Sequence, residues 1–461
     1  MTENPRIAVI GGTRPAIRKA RAAGYDVVWV HHPRELDPAG LRDVQEAHLV
    51  AYWEPPAVAE LLRTVHRLRP LARVVSMTED GLESAAAATS ALGLPGTGHS
   101  VVELLHDKLA FRTRLRERGV DGVAVGTGHG ERDIRAFVEE HGPAVIKPRF
   151  GSGSIGVRVV HGLREVPEVA AWAERFGLHS FLIEEYLQGP EISVESFSFG
   201  GRHTVLAHTA KETLDSLVEI GHVQPAGLEA ESARRVDDLV ARMLDAVGLT
   251  DGPAHTEVKL TPQGPRLIES HNRRGGDRIV DLVEEVHGID IDALAFRWYA
   301  GTTGPVAPGD PRGGAAVRFL TAEPGVVQQI EGVDAVRADP DVLDVQISVS
   351  PGDTVSPLAW SYDRAGLVLV RGSDASEARD RARKLAGRIT IRTAPGERRA
   401  DRRHISAVAP RPDRLLGTTP LPRSEPGTPP APDRPAEPPV LSGSKGPAGL
   451  GTEGAEPRGK E

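Results

Sequence analysis

Cysteine is absent from the sequence, and aromatic residues make up only 4% of its 461 positions. Without cysteine the chain can form no disulfide, has no thiolate nucleophile and offers no cysteine ligand to zinc. Long apolar runs are missing too, and the first residues lack the basic segment and apolar core of a secretory signal. These absences favour a cytoplasmic protein that does not contact the membrane.

An excess of positive charge is also missing, because 64 acidic residues outnumber 56 Lys and Arg and give a formal net charge of −8. The two signs are interspersed, which disfavours nonspecific nucleic-acid binding but still allows a local basic pocket. Hydrophobic residues at 39% and charged residues at 26% are ordinary for a globular protein. The length suits about two to four domains.

Short apolar runs alternate with amphipathic segments over most of the chain, which predicts a multidomain protein of the α/β and α+β classes. The N-terminal domain reads as βαβ and Rossmann-like, with Gly11-Gly12 after its first strand. Those glycines lack the full spacing of a dinucleotide-binding turn, so an NAD-dependent dehydrogenase is a weak alternative. The predicted parts are 1–97, 98–185, 186–312, a small α+β module at 313–394, and a tail at 395–461. The tail is rich in Pro and Gly with few apolar residues, and is expected to be disordered.

Two predicted helices carry charged residues of uncertain role. One helix is predicted from Val101 to Gly119, crowded with arginine, and by itself it reads as a solvated basic helix. Another is predicted from Asp80 to Leu92. Glu83 near its start either interacts favourably with the helix dipole or contacts the amino group of a substrate.

A hairpin in the middle of the chain has the composition of a phosphate-binding loop. Val145-Ile146-Lys147 reads as a strand end, Gly151-Ser152-Gly153-Ser154-Ile155-Gly156 as a loop, and Val157-Arg158-Val159-Val160 as a second strand. Small residues let backbone N–H groups approach a phosphate, and the lysine adds a positive charge. Because a strand follows the loop, a P-loop is disfavoured. A flexible surface hairpin is the alternative.

A second hairpin, further along the chain, carries two carboxylates. Glu257 and Glu269 lie on its two strands, and the residues after Glu269 are rich in His, Asn, Arg, Gly and Asp. Carboxylates with one further donor make a plausible Mg²⁺ site when nucleotide phosphates complete the coordination. Surface ion pairing is the alternative for such a pair.

The ordered set of motifs resembles the ATP-grasp superfamily of carboxylate–amine ligases, and within it the dipeptide-forming L-amino acid ligase branch. The resemblance covers roughly residues 5–393. It implies a two-lobed nucleotide site that uses ATP and Mg²⁺ to join a carboxylate to an amine. The motifs that carry it are Asp107-Lys108-Leu109-Ala110-Phe111-Arg112, the lysine hairpin, Ile183-Glu184-Glu185-Tyr186-Leu187 with Gly189 and Glu191, the Glu257/Glu269 pair with Arg273, and Gly275-Gly276-Asp277-Arg278.

The resemblance also implies roles for individual residues. Glu184 would accept the adenine amino group, Glu185 and Leu187 would supply backbone contacts, and Glu191 would bind the ribose. Arg273 and Lys147 would act on the transferring phosphoryl group. The other implied residues are Lys108 and Lys211 for phosphates, Gly151, Ser152, Gly153 and Ser154 for the closing loop, Glu257 and Glu269 for the metal, and Glu83 and Arg278 for the substrates.

One departure from the family pattern concerns the third metal ligand. Where the family commonly has Glu-x-Asn-x-Arg, this chain has Glu269-Ser270-His271-Asn272-Arg273. Mg²⁺ prefers oxygen to imidazole. Either His271 ligates, or Asn272 replaces it through a local shift, or Mn²⁺ is the accepted metal, or His271 only hydrogen-bonds nearby.

Two other functions stay open at this point. A carboxylase similar to biotin carboxylase would share most of the motifs, although the Met-Lys-Met target of a biotinyl domain is missing from the sequence. A nucleotide-binding regulator without turnover is disfavoured, because the charged residues of a working site are all present: Lys108, Lys147, Glu257, Glu269 and Arg273. The expected partners are a small-molecule carboxylate and amine, without nucleic acid or membrane, and the resemblance implies a homodimer.

Overall fold

A computed structural model describes residues 4–151, 153–214 and 217–395. Its N-terminal part confirms the predicted Rossmann-like arrangement, because a four-stranded parallel sheet has the order β3-β2-β1-β4. Helix α1 covers one face of this sheet, whereas α2 and α3 cover the other. The elements are β1 (Arg6–Ile10), α1 (Arg14–Ala22), β2 (Asp26–His31), β3 (Glu46–Leu49), α2 (Pro55–Leu68), β4 (Arg73–Ser76) and α3 (Leu82–Leu92).

Two helices, α4 (His99–His106) and α5 (Lys108–Glu117), follow where one long helix was predicted. The single helix from Val101 to Gly119 was therefore wrong. The chain breaks at Asp107, whose φ of −91° and ψ of 97° are extended. Its carboxylate accepts the N–H groups of Leu109 and Ala110 at 3.1 Å each. Asp107 is thus the N-cap of α5, and this cap sets the direction of Lys108.

A small antiparallel sheet with the order β5-β8-β6-β7 comes next. Apolar residues of its strands pack with those of two amphipathic helices. The predicted strand–loop–strand hairpin is confirmed, since β6 and β7 pair on either side of the glycine loop. The elements are β5 (Val125–Gly128), α6 (Glu131–His141), β6 (Ala144–Lys147), β7 (Arg158–Val160), α7 (Val166–Phe176) and β8 (Phe181–Glu185).

The largest sheet has eight strands and begins with the predicted carboxylate hairpin. One face of β9, β12 and β13 packs against α8, and apolar residues of α4 and α5 belong to the same cluster. Phe197 and Phe199, which are also in β9, pack with α9 and α10. The elements are β9 (Glu191–Phe199), β10 (Arg202–Thr213), β11 (Glu219–Gln224), α8 (Ala230–Val247), β12 (Asp251–Thr261), β13 (Gly264–His271), α9 (Ile279–His287) and α10 (Ile291–Tyr299).

The C-terminal α+β region continues this sheet, because β14 pairs with β11 and the full order is β13-β12-β9-β10-β11-β14-β18-β16. Three further strands form a separate sheet of order β17-β15-β19. The elements are β14 (Gly314–Leu320), β15 (Gly325–Glu331), α11 (Val333–Arg337), β16 (Val342–Ile347), β17 (Thr354–Val355), β18 (Gly366–Gly372), α12 (Ala375–Ala386) and β19 (Thr390–Ala394).

Among the described residues no helix is long and apolar enough to cross a membrane. The predicted tail from 395 onward lies, apart from Pro395, outside the described residues.

Candidate nucleotide and metal site

A cavity of about 300 Å³ opens between the small sheet and the hairpin of β12 and β13. It gathers residues that lie up to 285 positions apart in the sequence, from Glu79 to Arg364. The predicted site residues that line it are Lys108, Lys147, Gly151, Gly153, Ser154, Glu184, Glu185, Leu187, Glu191, Lys211, Glu257, Glu269, His271 and Arg273. Ser152 lies outside the described residues.

One end of the cavity concentrates positive charge around a single carboxylate. Lys147, the last residue of β6, donates to Glu184 on β8 at 2.7 Å. Arg112 on α5 donates to both oxygens of Glu184, at 3.0 and 2.8 Å. Burial by itself would raise the pKa of Glu184, but the charges of Arg112 and Lys147 outweigh it and hold that pKa at about 2. The carboxylate of Glu184 is therefore paired with two cations, and its contact with the adenine amino group stays a prediction.

The lysine at this end is electrostatically poorly compensated. Burial lowers the pKa of Lys147, and the neighbouring charges of Arg112 and Lys108 lower it further. The carboxylate of Glu184 acts in the opposite direction but does not outweigh them. Lys108 itself donates to the carbonyl of Gly151 in the glycine loop at 2.5 Å. An anion such as a phosphate would relieve this accumulation of cations, so this end has the charge that a polyphosphate requires.

A second cluster in the cavity is rich in carboxylates. The side chain of Lys211 on β10 is only 1% exposed, and it lies within bonding distance of three carboxylates. Burial would lower the pKa of Lys211, but these neighbours raise it well above its usual value. The distances from its Nζ are 2.9 Å to Glu191, 2.6 Å to Glu219 and 2.5 Å to Glu257. Lys259 also lies 3.1 Å from Glu191, so three carboxylates and two lysines meet here. The carboxylates offer the oxygen donors that a hard metal ion prefers.

The two carboxylates predicted to bind metal face each other across the hairpin. Glu257 and Glu269 are paired in the register of β12 and β13, next to a bulge that follows Glu257. Burial would raise both pKa values. The Lys211 charge holds the pKa of Glu257 at about 2, and the Lys108 charge lowers the pKa of Glu269 well below its usual range. Two ionised carboxylates on facing strands are a hard oxygen donor set that fits Mg²⁺.

His271 is the last residue of β13, and Asn272, which follows the strand, lines a different cavity. His271 lines the main cavity, and its ring nitrogens lie 3.1 Å from Glu79 and 3.1 Å from Glu269. Asn272 lines a separate small cavity beside Tyr299. Asn272 is not part of the main cavity lining, and its shift into the metal site stays a prediction. Burial would lower the pKa of His271, but the carboxylate of Glu79 raises it, so a metal would have to displace a proton from this ring.

Arg273 lies two residues after the end of β13, and a residue of the N-terminal part holds its side chain. Its guanidinium donates to Glu79, which the sequence reasoning did not select. Glu79 also lies 3.0 Å from Nε2 of His106, whose Nδ1 lies 3.2 Å from Glu83. Burial would lower the pKa of His106, but these two carboxylates raise it to about 9.

The two residues predicted to bind the substrates, Glu83 and Arg278, are not among the described residues that line the main cavity. Glu83 contacts His106 instead. Arg278 donates to Asp281 at 2.8 and 2.9 Å and to Asp344 at 2.5 Å, so its guanidinium is committed to neighbouring acids. Their assignment to the substrates is not supported by these positions.

Several residues of the site were missed from the sequence. Arg112 belongs to a motif that the sequence analysis quoted, yet the solvated reading of its helix was wrong for this residue, which is only 3% exposed. The others are Glu79, Glu219, His222, Asp277, Tyr362 and Arg364, all of which line the cavity. Of these, only Asp277 lies in one of the motifs that carry the resemblance, and it was given no role there. No local pattern marks the others, because packing between distant elements brings each of them to the cavity.

Models of three known domain families match the chain. The ATP-grasp N-terminal domain matches residues 17–96, the ATP-grasp domain matches 140–281, and the L-amino acid ligase C-terminal domain 2 matches 318–394. The resemblance and the fold class predicted from the sequence are confirmed by these matches.

Individual relatives agree with this result. Uncharacterized protein y4rH from Sinorhizobium fredii is 29% identical over 296 residues, covering 62% of this chain and 60% of its own length. Carnosine synthase 1 from Mus musculus is 30% identical over 281 residues, covering 55% of this chain and 33% of its own length. The chain thus spans between a third and three fifths of these two curated relatives.

A solved structure has the same fold over nearly all of the described chain. The crystal structure of an L-amino acid ligase from Bacillus licheniformis superposes with a TM-score of 0.75. The sequences are 22% identical, and the superposition covers 86% of this chain and all of the other.

Proposed function

Because the chain carries an ATP-grasp domain together with the C-terminal domain 2 of L-amino acid ligases, we propose that it is an ATP-dependent ligase. It would join the carboxylate of one amino acid to the amine of another and convert ATP to ADP and phosphate. The observation that carries the proposal is the division of one cavity into a cation-rich end at Lys147 and an anion-rich end at Lys211. Such a cavity suits a nucleotide whose phosphates meet a metal ion.

In this proposal Lys108 and Lys147 hold phosphate oxygens of ATP, and the loop from Gly151 to Gly156 covers them. Mg²⁺ held by Glu257 and Glu269 would neutralise charge on the phosphates, with Mn²⁺ as an alternative. Arg273 lies beside that pair on the strand end, where its charge would stabilise the transferring phosphoryl group.

The reaction balances in two steps. A carboxylate oxygen of the first substrate attacks the γ-phosphorus, and the bond from that phosphorus to ADP breaks. The amine of the second substrate then attacks the carbonyl carbon, phosphate leaves, and the amine loses a proton. Closure of the glycine loop would keep water from the acyl phosphate. Lys147 needs its proton for this role, and the negative charge of a bound phosphate would favour the protonated form.

Amino acids are the proposed substrates, because relatives of the chain are named for amino-acid ligation. One of them is called alanine–anticapsin ligase, and another is called L-arginine-specific L-amino acid ligase. The substrates of this chain are a separate question. A cytoplasmic location and a homodimer stay predictions.

The test is phosphate release from ATP across a matrix of paired amino acids, with Mg²⁺ and with Mn²⁺, and with products identified by mass spectrometry. Release that requires two amino acids and yields a condensed product supports the ligase. Release that requires only bicarbonate would point to the carboxylase instead. ATP binding without release in any pairing would contradict the proposal and favour a nucleotide-binding regulator.

A further inference from the structure

Residues 359–364, which connect β17 to β18 in the C-terminal part, reach the cavity. Ser361, Tyr362 and Arg364 are among the residues that line it. The ATP-grasp match ends at residue 281, so these three lie well outside it. The C-terminal part therefore contributes side chains to the same cavity as the predicted nucleotide residues.

Arg364 is held rigidly and makes one strong contact across the cavity wall. Its two terminal nitrogens donate to the two oxygens of Asp277 at 2.9 and 2.7 Å. Its Nε donates to the carbonyl of Ser361 at 2.6 Å, and its guanidinium lies 3.6 Å from the centre of the Phe319 ring. A bidentate pair fixes the partner in direction as well as in distance.

The contact matters because Asp277 lies in an unfavourable backbone conformation. Asp277 and Arg278 have φ values of 51° and 66°, in the left-handed region. Non-glycine residues stay there only when their surroundings hold them. Arg278 is held by Asp344, again from the C-terminal part, at 2.5 Å. The segment that begins at Arg273 is thus anchored at its far end by two ion pairs from the C-terminal part.

The same segment touches the glycine loop on the other side of the cavity. A Cβ atom built on Gly153 would lie 3.2 Å from the Tyr362 ring, so the loop backbone packs directly on this tyrosine. Next to it, the Trp360 ring lies 5.8 Å from the Phe176 ring of α7 in an edge-to-face arrangement. Two aromatic side chains of residues 359–364 therefore meet the part that carries the loop.

We propose that residues 359–364 complete the active site of the ligase. Arg364 is a positioning residue that holds the Arg273 segment through Asp277, and Tyr362 is the surface on which the glycine loop closes. The activity tests of this inference rest on the proposed function, whereas the exchange test below does not.

The first test replaces Arg364 with Met in the full chain. The rate constant kcat should fall about 100-fold, because a misplaced Arg273 costs that much, while the KM for ATP changes by less than about threefold. Asp277→Asn should have the same effect, since asparagine tolerates the left-handed conformation but forms a weaker pair with Arg364. The double variant should be no worse than the worse single variant, because both act through one contact.

The matched control is Arg392→Met, in the same C-terminal part but 64% exposed, which pairs with Glu331 at 3.3 Å. It should leave kcat unchanged. If Arg364→Met does not fold, Arg364→Lys decides, because lysine keeps the charge and loses the bidentate geometry. A lowered kcat at unchanged melting temperature supports the positioning role, and an unchanged kcat in the lysine variant overturns it.

The second test measures product formed per phosphate released in Tyr362→Ala. A loop that closes poorly admits water, so the acyl phosphate is hydrolysed and the ratio should fall from near one to below about one half. A residue that only supports the fold would lower both rates together. An unchanged ratio therefore overturns the role of Tyr362.

A third measurement separates this inference from the proposed function. Amide hydrogen exchange of the peptide 148–157 is followed with ADP and Mg²⁺ added, in the natural protein and in Tyr362→Ala. Faster exchange in the variant supports the contact between Tyr362 and the loop even if no amino-acid pair reacts. Equal exchange overturns it, whatever the activity assay gives.

Discussion

Lys147 and Lys211 lie in the same cavity and are both buried, yet their pKa values move in opposite directions. Lys147 has one carboxylate partner and two cations nearby, so that burial lowers its pKa. Lys211 has three carboxylate partners, which raise its pKa well above the usual value in spite of burial. His106, outside the cavity lining, has two carboxylate partners and a pKa of about 9. The two cations with two or more carboxylate partners have raised pKa values, whereas Lys147, with one such partner, has a lowered pKa.

The comparison teaches that a lysine's role in this cavity depends on its surroundings rather than on its own charge. At Lys147 the surroundings are positive, and an arriving anion improves the balance. At Lys211 the surroundings are negative, and the lysine keeps three acids together until a metal ion shares them. The two lysines therefore contribute differently to stability and to binding.

The largest expected effect is on stability and separates the two lysines directly. Lys211→Met should lower the free energy of unfolding by about 3–5 kcal/mol, because Glu219 and Glu257 lose the lysine that pairs with both of them, although Glu191 keeps Lys259. Lys147→Met should cost about 1 kcal/mol or less, since Glu184 keeps its bidentate pair with Arg112. Chemical denaturation in the absence of nucleotide measures both values.

The substitution of Lys147, which costs less stability, should have the larger effect on activity. Lys147→Met should be folded but nearly inactive, because the phosphates lose a close cation. Adding Mg²⁺ with ADP should recover part of the stability lost in Lys211→Met, because the metal replaces the missing positive charge. Equal destabilisation by the two substitutions would contradict the different contributions to stability expected of the two lysines.

The next effect is on metal dependence. Glu269→Gln should lower kcat about 100-fold and raise the Mg²⁺ concentration needed for half-maximal rate, because the metal loses an ionised ligand. Glu331→Gln, on the exposed strand β15, is the control and should leave both values unchanged. Steady-state rates across a Mg²⁺ titration measure the two quantities. A variant with the natural Mg²⁺ dependence would exclude Glu269 as a ligand.

The smallest effect concerns His106 and pH. Its folded pKa of about 9 lies above the ordinary 6.5, so the protonated ring stabilises the fold. This contribution is fully present below pH 6.5 and is lost as the pH rises through about 9. His106→Gln should therefore cost about 1–2 kcal/mol at pH 6 and much less at pH 10. Denaturation curves at both values measure it, and an equal cost at both would show that His106 is not charged.

Much of the cavity was predictable from the sequence where a residue and its neighbours form one local pattern. Lys147 ends an apolar strand before a glycine loop, and Glu257 and Glu269 lie on the two arms of a hairpin. In each case the pattern fixes the local geometry, so the structure brings these residues to one cavity as expected. The break at Asp107 also had a local signal, since aspartate directly before a helical run is a common N-cap.

The remaining residues depend on packing that no local pattern reports. Arg112 lies on a helix whose charges look solvated, and only the arrival of β8 and β13 buries it. Tyr362 and Arg364 reach the cavity because the C-terminal strands continue the large sheet from β11. Arg278 was a candidate for binding a substrate, but Asp281 and Asp344 occupy its guanidinium. Pairing of this kind is decided by tertiary contacts.

The most direct test of the account follows one oxygen atom. The carboxylate of the reactive amino acid is labelled with ¹⁸O, and the phosphate released with Mg²⁺ and ATP is analysed by mass spectrometry. Activation through an acyl phosphate predicts that one labelled oxygen appears in phosphate for each amide bond formed, together with ADP. Unlabelled phosphate, or AMP in place of ADP, would contradict the phosphoryl transfer that this cavity is proposed to perform.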